Sequence, residues 1–223
     1  MISSKNLSSI VSIALFLFLF AAIISCSEKK ESGHQRLPYL GRHDIVKNEK
    51  DGKISVDTVY HSIADFRFVN QDSAWITNET FEGKIYVADF FFTSCPDICP
   101  KMNTQMLRVY DSLREMKDLA FLSHTIDPVT DSVRVLKDFA DRLGVSSSRW
   151  HFVTGEKEVL YKLGQVSYMA SMADEGPGGL VHSGRFFLID KERRIRGAYD
   201  GTDALEVNDL IRDIQRLAAE YEK

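Results

Sequence analysis

Cys95 and Cys99 stand in the run Phe90-Phe91-Phe92-Thr93-Ser94-Cys95-Pro96-Asp97-Ile98-Cys99-Pro100, with three residues between them. A thiolate attacks disulfides and binds soft metals, so the pair is suited either to thiol–disulfide exchange or to metal binding. The more familiar redox spacing has two residues between the cysteines. Whether sulfurs at this spacing pair readily depends on the backbone around them. A purely structural Cys95–Cys99 disulfide is a further reading, but the short loop it closes would constrain little unfolded-chain entropy.

The elements that must position the sulfurs are legible on both sides. Ile85 to Phe92 is a nearly continuous apolar run rich in β-branched and aromatic residues, as in a strand buried on both faces of a parallel sheet. Pro100 has no N–H to lose and suits the first turn of a helix. Met102, Met106, Val109, Leu113 and Met116 then follow on one helical stripe. Both sulfurs are therefore expected where a strand hands over to a helix N-terminus, whose unpaired N–H groups and dipole favour the thiolate. The helical spacing of Met102, Met106 and Met116 marks them as core rather than thioether ligands. Met169 and Met172, near the segment before His182, are weaker core candidates and could touch a metal transiently.

Two cysteines leave a soft metal short of ligands, which turns attention to six histidines. His34 lies near the N-terminus, His43 and His61 fall in a decorated N-terminal region, and His151 starts a short strand as a packed or surface residue. His124 sits within an apolar strand beside Leu122 and Ile126, where a satisfied core or interface role fits. His182 follows the glycine-rich Glu175-Gly176-Pro177-Gly178-Gly179, expected to be a flexible loop, and precedes a strand from Arg185 to Asp190. It can therefore point at the sheet edge that carries the cysteines.

Composition narrows the classes. At 223 residues the chain holds one domain with a full core once a targeting segment is set aside. The net charge of -4, with both signs interspersed, offers no electrostatic footprint for nucleic acid. Lys5 precedes an apolar run from Ile10 to Ile24, ending in Ser25-Cys26 and a polar stretch, which has the regions of an export signal. The run is shorter than the roughly 20 residues that span a bilayer comfortably. It resembles a bacterial lipoprotein signal, which implies that Cys26 is lipidated; an uncleaved membrane anchor is the alternative. Either way the body lies outside the cytoplasm, on the bacterial periplasmic side, where paired thiols can oxidise.

The expected organisation is a signal over 1–25, a polar tether over 26–44, a hairpin extension over 45–63 with Asp51-Gly52 at its turn, and a main domain over 64–223. Short strands are expected at Phe66 to Val69 and Trp75 to Thr77. Leu119 to Ile126 reads as a second buried strand stopped before Pro128. Helices are expected from about Asp131 to Leu143, from Glu156 to about Gln165 and from Asp203 to Tyr221, with a hairpin of Arg185 to Asp190 and Ile195 to Tyr199 before the last. This order is an α/β fold, a mixed central sheet flanked by helices.

Thr93-Ser94-Cys95-Pro96-Asp97-Ile98-Cys99-Pro100 resembles the cysteine motif of the Sco/SenC family of thioredoxin-like copper proteins. Thr125-Ile126-Asp127-Pro128 with Asp131-Ser132 is similar to a second family stretch, and Val181-His182-Ser183 with Leu188-Ile189-Asp190 to a third. The likeness runs from about Ala64 to Leu217. It implies a thioredoxin-like fold and one copper per chain, Cu(I) or Cu(II), held by Cys95, Cys99 and His182. It also implies partners: a copper donor or thiol reductant, and the copper-binding subunit of cytochrome c oxidase or a related oxidase. The chain departs from the family in having Val181 where an aspartate usually precedes the histidine, and Val129-Thr130 in place of a charged pair. Thiolates suit Cu(I), and an added imidazole lets the same set hold Cu(II). The function implied is a copper chaperone for oxidase assembly. A thiol–disulfide oxidoreductase that reduces a partner's copper-binding cysteines is the alternative, and a peroxide-reducing thiol enzyme a weaker third, since it needs one strongly activated cysteine rather than a matched pair.

Overall fold

The computed structural model describes residues 36–50, 53–176 and 179–222, with the backbone alone at 50, 173–176 and 179–182. The export signal, Cys26, His34 and the Asp51-Gly52 turn lie outside the described residues. Among those described, no helix is long and apolar enough to cross a membrane.

The main sheet has seven strands. In chain order its members are β3 (Arg67–Asn70), β4 (Trp75–Thr77), β5 (Ile85–Phe91), β6 (Leu119–Thr125), β7 (Trp150–Thr154), β10 (Arg185–Ile189) and β11 (Ile195–Asp200). Their spatial order is β11-β10-β5-β6-β7-β3-β4. The three central strands β5, β6 and β7 are parallel, and antiparallel strands flank them on both sides. Every residue of β5 and β6 is buried, the polar Asp89, Ser123, His124 and Thr125 included, as their largely apolar runs lead one to expect.

Alternate residues of these strands feed two cores. Ile85, Val87 and Phe91 of β5 join Phe121, Trp150 and Phe152 on one face. That face is covered by α1 (Ile98–Ser112), α2 (Val133–Leu143) and α4 (Ala204–Glu220), which contribute Met102, Met106, Leu136, Val207, Leu210 and Ile214 among others. Tyr86, Ala88 and Phe90 face the other way, against Phe66, Phe68, Leu160, Leu163 and Tyr168. Met102 and Met106 are each 1% exposed, so the helical stripe is core.

Helix ends follow the chemistry of their caps. Ser132 accepts a hydrogen bond from the Val135 N–H to start α2, and Gly144, at φ +69°, ends it in the left-handed conformation. Asp203 caps α4 through the Leu205 N–H. The helix expected from Glu156 to Gln165 divides instead: α3 (Lys157–Lys162) passes into a π-helical turn over Leu163–Ser167. Gly164 lies in that turn with side chains pressed against its backbone, a close approach that no other residue type permits.

Two hairpins stand apart from the main sheet. β1 (Asp44–Lys50) and β2 (Lys53–Val59) pair in the expected place, and the described side chains of both strands are exposed. The segment before His182 is a second hairpin rather than the expected flexible loop: β8 (Met172–Gly176) pairs antiparallel with β9 (Gly179–His182), with an irregularity between Ala173 and Gly176. Its Pro177-Gly178 connection lies outside the described residues.

Candidate metal and thiol site

β5 ends at Phe91, and the chain turns at once, with the Cys95 N–H donating to the Phe92 carbonyl at 3.2 Å. α1 starts at Ile98, so Cys99 is its second residue and Pro100 still lies in the first turn. The site therefore sits at the carboxyl edge of the parallel strands, where open α/β sheets expose loops rather than strand ends.

Two carboxylates underlie this edge. Asp131, fully buried, accepts the Thr93 N–H and the hydroxyls of Thr93 and Thr125. It thereby ties the end of β6 and the start of α2 to the segment entering the cysteine loop. Asp89 projects from β5 toward the α1 face, where Ser123 donates to its carboxyl group and itself accepts from Trp150 Nε1 at 2.8 Å. Asp89 Oδ1 has no hydrogen-bond partner among the described residues. Burial pushes the Asp89 carboxyl up to about 7. Asp89 was not singled out by sequence reasoning; the only signal was an acidic residue inside an apolar strand.

Cys95 is half-buried and Cys99 is at 3% exposure. The Cys99 thiol hydrogen-bonds to Cys95, and the Phe92 backbone also reaches it. The expectation that a helix start favours both thiolates fails at Cys99. Burial pushes this thiol up, the hydrogen bond to Cys95 and the charge of Asp89 push the same way, and the Phe92 backbone bond only partly offsets them. The helix supplies a favourable dipole, but desolvation of the sulfur is the larger effect.

The chain segment after His182 comes close to the pair. A Cβ at Gly184, two residues on, would lie 3.6 Å from Ile98 Cδ1, and Ile98 adjoins Cys99. The Gly184 carbonyl also accepts the Gly201 N–H at 2.7 Å. His182 itself closes β9, paired across the ladder with Met172; its imidazole lies outside the described part of the structure. Among the described residues no group of three or more His, Cys, Asp or Glu could hold a metal ion. Two adjacent thiols, once deprotonated, form a soft donor pair that fits Cu(I).

The remaining histidines take other roles. His124 is fully buried, stacked on Phe90 at 4.9 Å between ring centroids, with Nδ1 3.3 Å from the Asp89 carbonyl. Burial lowers it to about 4, so it is a neutral core residue. His151, 7% exposed, meets the Asn70 amide at 3.2 Å and is likewise lowered to about 4 by burial. His61 bonds the Ser167 carbonyl at 2.7 Å. Of the two uncertain methionines, Met172 is buried in the core beside Phe90, whereas Met169 is 47% exposed.

Comparison with known proteins agrees with this architecture. A solved SCO1/SenC family lipoprotein from Bacillus anthracis superposes with a TM-score of 0.66 at 31% identity, over 71% of this chain and 95% of that one. BsSco, described as a member of the Sco family of cytochrome c oxidase assembly proteins with a disulfide switch, gives 0.64 at 27% identity, over 71% and 94%. A putative copper-binding protein of Stutzerimonas stutzeri is 30% identical over 145 residues, 61% of this chain and 68% of its own length. The fold is thioredoxin-like, as these neighbours share it. The SCO1/SenC family model matches residues 56–219, and the chain belongs to that family.

Proposed function

We propose that this protein is a membrane-tethered, extracytoplasmic copper chaperone that carries copper on Cys95, Cys99 and His182 to the copper centre of cytochrome c oxidase or a related oxidase. The observation that carries this reading is the pair of mutually hydrogen-bonded thiols at the start of α1, with Gly184, two residues after His182, close to Ile98 of the same turn. The Stutzerimonas relative's description as a putative copper-binding protein and that of BsSco as a member of a family of oxidase assembly proteins support the cargo and the recipient. The lipoprotein character of the Bacillus anthracis relative supports lipidation at Cys26 after removal of residues 1–25, with 26–44 as the tether.

Copper here is cargo, and the ligands divide its two oxidation states. The thiolates bind Cu(I) alone, and the imidazole of His182 adds the nitrogen that Cu(II) prefers. The test is anaerobic titration of the reduced protein with Cu(I), then oxidation, read by X-ray absorption. One copper per chain with two sulfurs and one nitrogen is expected; two sulfurs without nitrogen would sink the ligand set.

The thiol–disulfide oxidoreductase reading is favoured by one observation: a buried carboxyl, Asp89, raised to about 7 and close enough to influence Cys99. Such a group can take the proton that Cys99 must lose before it attacks or resolves a disulfide. Reduction of a partner disulfide that survives His182→Ala and vanishes in Cys95→Ser would make this the main activity.

A further inference from the structure

The geometry points to Met172, seated on the glycine notch at Gly164, as the residue that positions His182. This rests on the reading of His182 as a copper ligand and explains how a hairpin outside the main sheet could deliver it.

β8 and β9 pair only with each other among the described strands. A lone two-stranded hairpin is marginal in water, so its placement depends on what fixes its base. Met172 opens β8 and stands directly across the ladder from His182. Its side chain is 8% exposed and drives into the π-helical turn. A Cβ added at Gly164 would lie 2.0 Å from Met172 Cε and 2.9 Å from its Sδ. The same point is 2.9 Å from Phe90 Cε1, on the strand that leads to Cys95. The backbone is fastened as well: Gln165 Nε2 donates to the Met172 carbonyl at 3.1 Å.

One side chain thus connects β8, whose ladder partner ends at His182, with the π turn and the strand that leads to the cysteines. Only a glycine leaves room for it, and an isolated π turn is a frequent mark of function within helical segments. An unbranched, flexible thioether suits an irregular gap of this kind. Met172 is a positioning residue, and its sulfur is committed to packing.

The test uses the purified full-length protein loaded with Cu(II), compared with the Cu(I) form. Met172→Ser and Gly164→Ala are expected to weaken Cu(II) about 10- to 100-fold, as loss of a group orienting a ligand does. They should also reduce the nitrogen hyperfine coupling in electron paramagnetic resonance, while Cu(I), held by two sulfurs, changes much less. Met172→Leu, of similar volume, should keep the parental spectrum. Gln165→Ala removes one hydrogen bond and little packing, so it serves if either core variant fails to fold; it should shift the same readouts in the same direction. Parental Cu(II) affinity and coupling in the folded notch variants, alongside their loss in His182→Ala, would overturn the positioning role alone. Loss of coupling in Met172→Leu would overturn it too, since the sulfur would then be the group required. Unchanged Cu(II) binding in His182→Ala would remove the ligand itself and both readings with it.

Discussion

The carboxylate of Asp131 receives both the backbone N–H and the hydroxyl of Thr93, two residues ahead of Cys95. The Thr125 hydroxyl fills out the same carboxylate, and the Thr125 Oγ also receives the Asp127 N–H at 2.9 Å. Two stretches separated by 38 residues are thus stitched under the cysteine loop. Burial raises the Asp131 carboxyl, and the threonine donors act against that rise.

Asp131→Ala should therefore destabilise the fold by about 3 kcal/mol, because it strands buried threonine donors as well as removing their acceptor. Asp131→Asn, which keeps one acceptor oxygen, should recover part of the loss. Denaturant unfolding measures both. An alanine variant as stable as the parent would mean that these hydrogen bonds contribute nothing net.

The two thiols should react in a fixed order. Cys95 is half-buried and Cys99 is 3% exposed with its ionisation opposed by burial. Limiting iodoacetamide on the reduced, metal-free protein should label Cys95 first, with Cys99 labelled only after unfolding; peptide mass spectrometry reads the order. Cu(I) uptake must strip the Cys99 proton, so affinity should rise with pH. Affinity independent of pH between 6 and 9, or Cys99 labelled first, would contradict the raised Cys99 thiol.

Asp89 gives stability a pH dependence of definite sign. An aspartate in the unfolded chain titrates near ~3.9, whereas Asp89 in the fold is held up to about 7 by burial. Between these values the native state keeps a proton that the unfolded chain releases, so this group's contribution falls as pH rises, and the loss is complete above the folded value. A difference of this size sets a ceiling on the order of 4 kcal/mol. Asp89→Asn should lose this slope and gain on the parent from pH 5 to pH 8 in urea unfolding. A variant that loses ground over that interval would show Asp89 to be ionised and satisfied in the fold.

Much of this was legible beforehand, for identifiable reasons. β5, β6 and the cysteine loop could be read because a strand buried on both faces needs an unbroken apolar run, and Pro100 marks a helix start. Gly144 marked the end of α2 through cap chemistry, whereas its start was expected at about Asp131 and Ser132 proves to be the cap. The state of Cys99 was not legible, because the dipole of a helix start is a local property and desolvation depends on how α1 packs. Nor was the hairpin before His182: Gly-Pro-Gly-Gly reads as a loop, whereas β8 and β9 pair on either side of it, with Met172 of β8 packed against Gly164 of the π turn. The buried roles of Asp89 and Asp131 were not legible because their hydrogen-bond partners are distant in sequence or on a neighbouring strand. The lipoprotein reading of Cys26 still rests on the pattern of the N-terminal run and on likeness to a relative.

Arg196 supplies the last prediction, at the opposite end of the sheet. It is 2% exposed and donates to the carbonyls of Leu37 at 2.7 Å and Pro38 at 3.2 Å, with Glu220 at 2.8 Å and Asp190 at 3.3 Å as its ionic partners. Glu220 also accepts the Leu37 N–H at 2.8 Å. Ile195 pairs with Ile189, and Ile189 with Tyr86 near the start of β5, whereas Cys95 follows the end of that strand. The described chain thus first packs on the domain at the end of the sheet away from the thiols. Arg196→Met should cost about 3–5 kcal/mol, because Asp190 is left buried without its cationic partner, held only by the Glu192 and Arg194 N–H groups. Glu220→Gln removes the charge that pairs with Arg196 and weakens the clamp on Leu37, while leaving Asp190 its cationic partner. It should speed hydrogen exchange at the Leu37 amide and leave the Cys95 alkylation rate at the parental value. A changed Cys95 rate in Glu220→Gln would show that the two ends of the sheet are coupled and that the clamp is more than an anchor for the entering chain.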